Sequence, residues 1–583
     1  MGIFKEASDE EYEAVRNGLS VYSFDVYDTL ITRPFAKPTD LFRFMEEKHK
    51  MKGFHDARIK AESEARRCSD REDITIDDIY KMIPSEYASM KAHEIRYETT
   101  LVFPVGPNVN FLENVKDKGY KIVLISDMYL PENVIGTCLA KCGIQYDRLF
   151  VSSSYGKTKH TGSLYDVVLD EMGIEPDMMV HMGDNKHADY EIPKSRGIIS
   201  VHVDKPLDIY LSHHPGASRY LSKHRSYGAS MIVALDMIHM INNIANVSLW
   251  YETGFRFGGP LAYAYSVFIE SKLRNDALSV FVARDGYNPM RVKDVLFPNS
   301  NNGVYVHAQR VLSQSLSDHG IPYGEIHPPS KYAYHFLYRK CIEDARHILR
   351  FLSDIFPEIP DDDSEMIAFY NDNIKRIDSE RKKRKEDYER YLRGCIGGND
   401  TIDLIDCTTM KYTSQRFVES VIGKKIHGIY LVSLAEDESV DHSSFHTKSS
   451  FAMGWMGINI DEFLLCSPEY PISGWNNGPR FISPPECEKD RASNYDDVTS
   501  GECDYARMMK TIFGNELPVF EYPDVMAWTL ASVHEPGCGD LIRAIKWASD
   551  PDHKVWNSIV PGIGSIPRII RKQLTDIIFR MNG

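Results

Sequence analysis

The sequence predicts an α/β protein built on a doubly wound parallel sheet. Three stretches, Gly18–Arg33, Lys121–Leu130 and Met178–Asp189, each contain an apolar run that is followed by polar or acidic residues. Helix-like segments separate these runs, and further strand-like segments follow at Arg148–Val151 and Ile198–Val203. Regular alternation of strands and helices is typical of a parallel sheet with helices on both faces. Ligands of such sheets bind beyond the carboxyl ends of the strands, so we expect the chemistry at the ends of these runs.

Length and composition describe an acidic multidomain protein. The chain has 583 residues, which predicts about two to four domains, and 43% of the residues are hydrophobic. A formal net charge of −16 argues against broad nucleic-acid binding, because phosphate contacts need a basic face. The ten cysteines lack the paired short spacings of a zinc site. The amino terminus lacks the long apolar region of a secretion signal, so the expected location is the cytoplasm.

The first run places a carboxylate directly after its apolar residues. Asp25 stands at the predicted strand end, and Thr29 follows four residues later. A carboxylate there can serve as a nucleophile or a metal ligand, and the Thr29 hydroxyl can bind an anion. The alternative is structural, since Asp25 or Asp28 can form a turn or cap a helix. The other two runs help to decide between the chemical and the structural role of Asp25.

The later runs and the loop between them add a hydroxyl, a lysine and two more carboxylates. Ser126 ends the second run just before a predicted helix start, where an anion is favoured. The polar loop before the third run offers two lysines, Lys157 and Lys159. Asp184 and Asp189 follow the third run, on a loop and the start of the next helix. The chain therefore presents a nucleophile, a hydroxyl, a lysine and an acidic pair in that order.

This order resembles the four sequence motifs of the haloacid dehalogenase superfamily, over about the first third of the chain. The resemblance implies that Asp25 is the nucleophile and Ser126 the phosphate-binding hydroxyl. It also implies that Lys159 is the positive partner of the nucleophile and the phosphate. Asp184 is then the metal-binding carboxylate, and Asp189 supports the metal site.

The choice of lysine rests on spacing. Lys159 precedes the aromatic Tyr165 by six residues, which is the usual spacing in the superfamily. Lys157 is the second choice.

The sequence departs from the superfamily pattern at Tyr27, two residues after the nucleophile. Phosphatases of the superfamily usually carry a second aspartate there, which protonates the leaving group and activates water. The family uses only the backbone carbonyl of this position for its metal, so Tyr27 stays in the implied metal set with Asp25, Asp184 and Asp189. Such oxygen ligands suit Mg²⁺. Asp28 is either a substitute acid or a turn residue.

The aromatic residue also raises a metal-free alternative. Dehalogenase members of the superfamily carry an aromatic at this position and need no metal, because their nucleophile attacks a carbon–halogen bond. The intact stretch from Gly183 to Asp189 favours the phosphatase, since a metal-free enzyme has little reason to keep it. The expected function is therefore a Mg²⁺-dependent phosphohydrolase or phosphotransferase that works through an aspartyl-phosphate.

A helical insertion separates the first two motifs. Lys37–Glu98 reads as helical, with a start signal at Pro38–Asp40. The insertion, at about 37–100, occupies the place of a helical cap in the resembled superfamily, where caps close over the site and choose the substrate. The predicted first domain, with this cap, is 1–212.

The pattern of the remaining chain predicts a second α/β domain at 229–583. The run Leu278–Tyr287 has the same design as the second motif, and Asp285 and Asp406 would stand at strand ends. A ligand site there and a purely structural role are both open, and no complete second set of the four motifs is present. Ser467–Pro485, rich in Pro, Gly and aromatic residues, reads as an irregular surface loop.

The full layout also resembles two-domain predicted hydrolases of bacterial surface-polysaccharide systems. That resemblance implies a phosphorylated small molecule or a phosphate-linked glycan as substrate. A catalytically degenerate binding or assembly protein in such a system is a further alternative, because Tyr27 replaces the acid. The segment 566–580 forms a basic amphipathic pattern, which either docks on the protein or makes peripheral contact with the inner face of the membrane.

Overall fold

The chain folds into two compact units. The computed structural model describes residues 20–242, 247–300, 303–316, 325–327, 335–409, 411–434, 436–447, 460–482, 486–535, 537–548 and 556–558. Unit 1 is Met1–Asn246 and unit 2 is Val247–Gly583. Each unit contains a five-stranded parallel sheet flanked by helices, so the predicted α/β class is confirmed for both.

Unit 1 is an open parallel sheet with the order β5-β4-β1-β6-β7. Its strands are β1 Val21–Phe24, β2 Ile31–Thr32, β3 Phe103–Pro104, β4 Lys121–Ser126, β5 Arg148–Val151, β6 Met179–Gly183 and β7 Ile199–His202. Its helices are α1 Asp40–Lys48, α2 Phe54–Cys68, α3 Ile76–Met82, α4 Met90–Thr100, α5 Gly106–Asp117, α6 Glu132–Lys141, α7 Ser152–Tyr155, α8 Ser163–Met172, α9 Ile192–Ser195, α10 Pro206–His213, α11 Pro215–Lys223 and α12 Tyr227–Asn242. Strand β1 is fully buried, as expected for the centre of a two-sided sheet.

The strand order of unit 1 reverses between β1 and β6. The chain runs from β1 to β4 and β5 on one side, and then returns to β6 and β7 on the other. Phe24 is level with Leu124 of β4 and with Met182 of β6. The residues after β1, β4 and β6 therefore converge at one sheet edge, at the position where open α/β sheets bind ligands.

The predicted helical insertion lies between β2 and β3. These two short strands pair antiparallel, with Ile31 opposite Pro104, so the insertion leaves and rejoins the core at one stem. Helices α1 to α4 form the insertion, and it has a buried ion pair of its own. The Arg58 guanidinium donates to both oxygens of Glu94, at 2.9 and 2.7 Å, and both side chains are fully buried.

Helix α12 belongs by contact to unit 1. It packs against α1, α5, α10 and α11, and the Lys37 backbone N–H donates to the Ser230 hydroxyl at 3.3 Å. The contacts divide the chain after Asn246, whereas the domain limits predicted from the sequence are 1–212 and 229–583.

Unit 2 is a second open parallel sheet, with the order β12-β11-β10-β8-β9. Its strands are β8 Leu278–Val282, β9 Gly303–Val306, β10 Ile402–Thr409, β11 His427–Ser433, β12 His442–Thr447, β13 Ile472–Trp475, β14 Pro479–Phe481, β15 Lys546–Ala548 and β16 Trp556–Ser558. Its helices include α13 Leu249–Thr253, α14 Gly259–Lys272, α15 Tyr287–Leu296, α16 Arg310–Leu316, α17 His335–Phe351, α18 Asp363–Asp372, α19 Ile374–Ile396, α20 Thr413–Ile422, α21 Glu486–Phe513, α22 Tyr522–Ala531 and α23 Cys538–Ala544.

The expected irregular loop in Ser467–Pro485 is wrong in part. Strands β13 and β14 pair as an antiparallel hairpin, with Trp475 opposite Pro479. Trp475 is buried against Tyr388 and Tyr391 of α19, and its indole N–H donates to Asp387 at 2.8 Å. Packing of Trp475 against α19, a helix distant in sequence, thus orders a segment whose local composition is typical of a loop.

No helix among the described residues is long and apolar enough to cross a membrane. The predicted amphipathic segment 566–580 lies outside the described residues.

Candidate active site

Asp25 lies at the carboxyl end of the central strand of unit 1. Its backbone N–H donates to Met182 O at 2.8 Å, which continues the β1–β6 pairing by one residue. The residue is 7% exposed. Burial raises the pKa of Asp25 well above its usual range, and Asp189 and Asp184 raise it further, against the opposing charge of Lys159. Additional positive charge at this site would therefore stabilise the ionised form of Asp25.

Lys159 reaches the site from the loop before α8. Its Nζ contacts Asp25 Oδ1 and lies 2.6 Å from Asp189 Oδ1. The Lys159 side chain is 3% exposed, whereas Lys157 is exposed. Although burial alone would lower the pKa of Lys159, the two aspartates raise it well above its usual range, so the ammonium stays charged. Of the two lysines considered from the sequence, Lys159 is the one that meets the carboxylates.

Asp189 is fixed from behind by a buried histidine. His181 Nε2 lies 3.2 Å from Asp189 Oδ1, and His181 Nδ1 lies 2.8 Å from the Ser23 hydroxyl. Burial lowers the pKa of His181, which favours the neutral ring, and the tautomer with its proton on Nε2 donates to Asp189. The Ser23 hydroxyl also lies 3.2 Å from Val180 O. Burial would raise the pKa of Asp189, but Lys159 and His181 together hold it below its usual range. Asp189 is therefore an ionised, oriented carboxylate.

A glycine allows Asp189 to lie close beneath the end of β6. A Cβ at Gly183 would stand 2.5 Å from the Asp189 carboxyl carbon, so any side chain there would force Asp189 to move. Asp189 is carried by a π-helical turn, Lys186–Glu191, whose first amides donate to the Asn185 side chain. The Asn185 N–H itself donates to Asp189 Oδ2 at 3.0 Å. The turn thus directs Asp189 back toward the strand end.

Asp184 completes the acidic cluster and is held by two side chains. Thr29 Oγ1 donates to Asp184 Oδ1 at 3.1 Å, and Lys205 Nζ lies 3.4 Å from Oδ2. Burial raises the pKa of Asp184 despite the opposing charge of Lys205. From the sequence, the Thr29 hydroxyl is a candidate to bind an anion. In the structure it donates a hydrogen bond to Asp184.

The three carboxylates fit the metal that the sequence implies. One oxygen from each of Asp25, Asp184 and Asp189 lies within 4.8 Å of the others. Among the described residues, Lys159 is the one cation in direct contact with two of these carboxylates, so the cluster keeps excess negative charge. An all-oxygen, carboxylate-rich donor set is the type that Mg²⁺ prefers. The side chains therefore suit a hard divalent cation.

Ser126 occupies the adjacent strand end with a hydroxyl available to a ligand. The residue is 2% exposed and is the last residue of β4. Its hydroxyl makes no hydrogen bond within the described part of the chain. A hydroxyl at this strand end, beside Asp25, is suited to donate to a bound oxyanion.

The Tyr27 side chain packs against Arg33 and Cys138. The Arg33 guanidinium lies 4.0 Å from the Tyr27 ring centroid and 2.9 Å from Glu98, and the phenol oxygen lies 4.0 Å from Cys138 Sγ. Burial, with the Glu98 charge, raises the pKa of Tyr27 well above its usual range. The phenol therefore stays protonated and is poorly matched to general acid–base work near neutral pH.

Asp28 forms a tight turn after the nucleophile. It has a left-handed backbone (φ 59°), and its N–H donates to Ile31 O at 2.7 Å. Its Oδ1 accepts from the Thr32 hydroxyl at 3.1 Å. The structural role considered from the sequence is thus present, and its carboxylate lies close enough to Asp184 to raise the pKa of that residue.

Two acidic residues that the sequence did not single out hold the Lys159 loop. Asp127 accepts the backbone N–H groups of Lys159 and His160, at 2.8 and 3.2 Å. Glu72 Oε2, from the α2–α3 connection of the insertion, accepts from the Thr158 N–H at 3.0 Å and from the Ser163 hydroxyl at 2.6 Å. The insertion is therefore tied to the loop that positions the catalytic lysine candidate. The position of Asp127, directly after Ser126 at a strand end, is the one sequence signal for these contacts.

Comparison with solved structures finds proteins of similar fold. An L-2-haloacid dehalogenase is 12% identical, with 33% of this chain and 87% of that chain covered and a TM-score of 0.26. A defluorinating L-2-haloacid dehalogenase is 15% identical, with 33% and 83% covered and a TM-score of 0.28. A HAD-family enzyme from Bacteroides thetaiotaomicron, an alanine variant in complex with magnesium and inorganic phosphate, is 14% identical, with 32% and 95% covered and a TM-score of 0.23.

These three proteins resemble about a third of the chain, and the likeness concerns the fold alone. No protein-family model matches the chain, and no curated protein matches it.

Proposed function

We propose that unit 1 is a Mg²⁺-dependent phosphohydrolase or phosphotransferase of the haloacid dehalogenase type. The observation that carries the proposal is the contact of Lys159 with both Asp25 and Asp189, in a cluster that Asp184 completes. An ionised lysine between a candidate nucleophile and an acidic metal-binding set is suited to a dianionic phosphate. The proposed substrate is a phosphorylated small molecule or a phosphate-linked glycan.

In the proposed reaction, an Asp25 oxygen attacks phosphorus while the bond from phosphorus to the leaving-group oxygen breaks. The product is an aspartyl-phosphate, which water or an acceptor hydroxyl then cleaves. Lys159 neutralises charge on Asp25 and on the phosphoryl oxygens, and the Ser126 hydroxyl donates to one of those oxygens. Bound Mg²⁺ would supply further positive charge where three carboxylates and a phosphate meet.

The packing of Tyr27 leads to a prediction about leaving groups. Tyr27 stands where phosphatases of the superfamily usually carry the aspartate that protonates the leaving group, and no other described residue has been assigned that role. Leaving groups that need protonation should therefore react slowly. We expect p-nitrophenyl phosphate to be hydrolysed at least about 10²-fold faster than phenyl phosphate, the lower end of what general acid catalysis contributes. Initial rates at saturating Mg²⁺ measure this. Equal rates would show that another group protonates the leaving oxygen, and Asp28→Asn would then test whether that group is Asp28.

Metal removal tests the proposal directly. Excess chelator should abolish turnover and Mg²⁺ should restore it, because the carboxylates otherwise repel the phosphate. Asp184→Asn should raise the Mg²⁺ concentration for half-maximal activity by about tenfold or more, as loss of metal-site groups commonly does.

Trapping with beryllium fluoride and Mg²⁺, followed by fluorine NMR, should give a bound complex that Asp25→Asn lacks. The exposed Asp117 provides the control variant Asp117→Asn.

The half-buried aromatic at Tyr27, packed against Arg33, is the observation that favours a second candidate, a metal-free dehalogenase. In that reaction Asp25 attacks carbon and halide leaves. Halide release from a 2-haloacid that persists in excess chelator would overturn the phosphoryl assignment. Absence of both activities and of the beryllium fluoride complex would instead favour a binding or assembly protein.

A further inference from the structure

Unit 2 has its own strand-order reversal, between β8 and β10. The chain runs from β8 to β9 on one side and then crosses to β10, β11 and β12 on the other. Phe281 is level with Ile405, so Val282 and Asp406 are level next along the strands. Ligands of open α/β sheets bind beyond the carboxyl ends of the strands at this kind of reversal. The carboxyl edge of β8, β9 and β10 is thus the default place for a ligand in unit 2.

Two half-buried carboxylates meet at this edge. Asp285 follows β8 and Asp406 lies within β10. Burial raises the pKa of Asp406 to about 7, and the charge of Asp285 contributes to the rise. Neither carboxylate has an ion pair within 4.0 Å among the described residues. Asp406 accepts from the Cys407 N–H at 2.9 Å and also interacts with the Ser414 side chain. Their remaining acceptor capacity is available to a ligand.

Three arginines lie near Asp285, and one of them, Arg310, also lies near Asp406. Arg284, Arg310 and Arg491 all lower the pKa of Asp285, although burial raises it overall. Arg491 donates to Glu488 Oε1 at 2.8 Å, and Arg284 lies 3.7 Å from the same oxygen. Arg310, the first residue of α16, is exposed and has no ion pair in the described ranges.

Buried polar atoms without partners lie in the same group of residues. Glu488 is fully buried, yet its Oε2 makes no hydrogen bond within the described part of unit 2. The Oε1 of Gln309, beside Arg310, is likewise buried without a partner. Unsatisfied buried polar atoms are rare in native proteins and indicate a missing water, ion or ligand.

We propose that this edge of unit 2 binds a polyhydroxylated phosphate, such as a sugar phosphate or the ribose phosphate of a nucleotide. Asp285 and Asp406 accept hydrogen bonds from neighbouring hydroxyl groups, and Arg310 binds the phosphate. A bare divalent cation fits less well, because three arginines lie near Asp285 and Arg310 also lies near Asp406. The described residues contain a cluster of three metal-ligating carboxylates only in unit 1.

The test measures binding to the full-length chain in excess chelator, with Asp25→Asn present to prevent turnover in unit 1. The probes, used in isothermal titration calorimetry, are ribose 5-phosphate and uridine 5′-diphosphate, each compared with its 2-deoxy counterpart. We expect the deoxy compounds to bind about tenfold more weakly, the usual effect of losing a hydrogen bond to a charged group. Binding of both parents indicates a sugar-phosphate site, and binding of the nucleotide alone indicates a nucleotide site.

Matched variants locate the binding in unit 2. Asp285→Asn, Asp406→Asn and Arg310→Gln should each weaken binding about tenfold. Asp276→Asn should not, because the exposed Asp276 precedes the opposite end of β8 and asparagine tolerates its left-handed backbone (φ 61°). Equal binding of parent and deoxy probes, a requirement for Mg²⁺, or no effect of Arg310→Gln would each overturn the proposal. Arg310 is exposed, so that variant does not depend on the fold tolerating a core change.

Discussion

Replacing Asp25 with asparagine is expected to abolish phosphate-ester turnover while leaving unit 1 folded. An amide oxygen is a far weaker nucleophile than a carboxylate, and loss of a catalytic nucleophile can cost on the order of 10⁶ in kcat. Stability should hold, because Lys159 keeps its pairing with Asp189 and one of three crowded carboxylates is removed. Steady-state turnover and thermal unfolding of the same preparations measure the two effects.

Asp117→Asn is the control, since it makes the same chemical change at an exposed helix end. Retention of even about a hundredth of the activity by Asp25→Asn would contradict a covalent role, because the expected loss is far larger. A variant that loses activity and also unfolds would leave the chemistry to be judged by beryllium fluoride trapping in the native protein, where a complex at Asp25 is expected.

Residues at strand ends could be predicted because parallel strands bring their carboxyl ends to one edge. Asp25, Ser126 and Asp184 lie at the ends of three buried strands, so their convergence depends on the sheet topology and hardly on side-chain detail. The spacing from Lys159 to Tyr165 also has a physical basis. The Tyr165 hydroxyl donates to Ala188 O at 2.8 Å, which joins the helix after the lysine loop to the turn that carries Asp189.

Contacts that depend on distant packing could not be predicted in this way. His181 reads as one polar residue in a buried strand, and its bond to Asp189 depends on the π-helical turn that follows. Glu72 lies in a charged, exposed connection, and its partners Thr158 and Ser163 lie 86 and 91 residues away. Side-chain pairing over such separations is set by the assembled core, which local sequence patterns do not encode.

Replacing Lys159 with methionine is expected to remove activity and to destabilise unit 1. Methionine preserves apolar volume but leaves Asp25 and Asp189 facing each other, with side chains 10% and 1% exposed. Removing one partner of a buried ion pair typically costs about 3–5 kcal/mol. Hydrogen–deuterium exchange in chelator should show faster exchange in β1, β4 and β6, with β10 and β11 of unit 2 as internal reference.

The double variant separates the ion pair from simple loss of packing. In Asp25→Asn/Lys159→Met the neutral amide no longer needs the ammonium, so part of the destabilisation should be recovered, and the double-mutant cycle should give a favourable coupling of about 1 kcal/mol or more. Lys157→Met supplies the matched control, because Lys157 is exposed two residues away and should tolerate the change in both activity and stability. If Lys157→Met removed activity and Lys159→Met did not, the lysine assignment and the charge balance built on it would both be wrong.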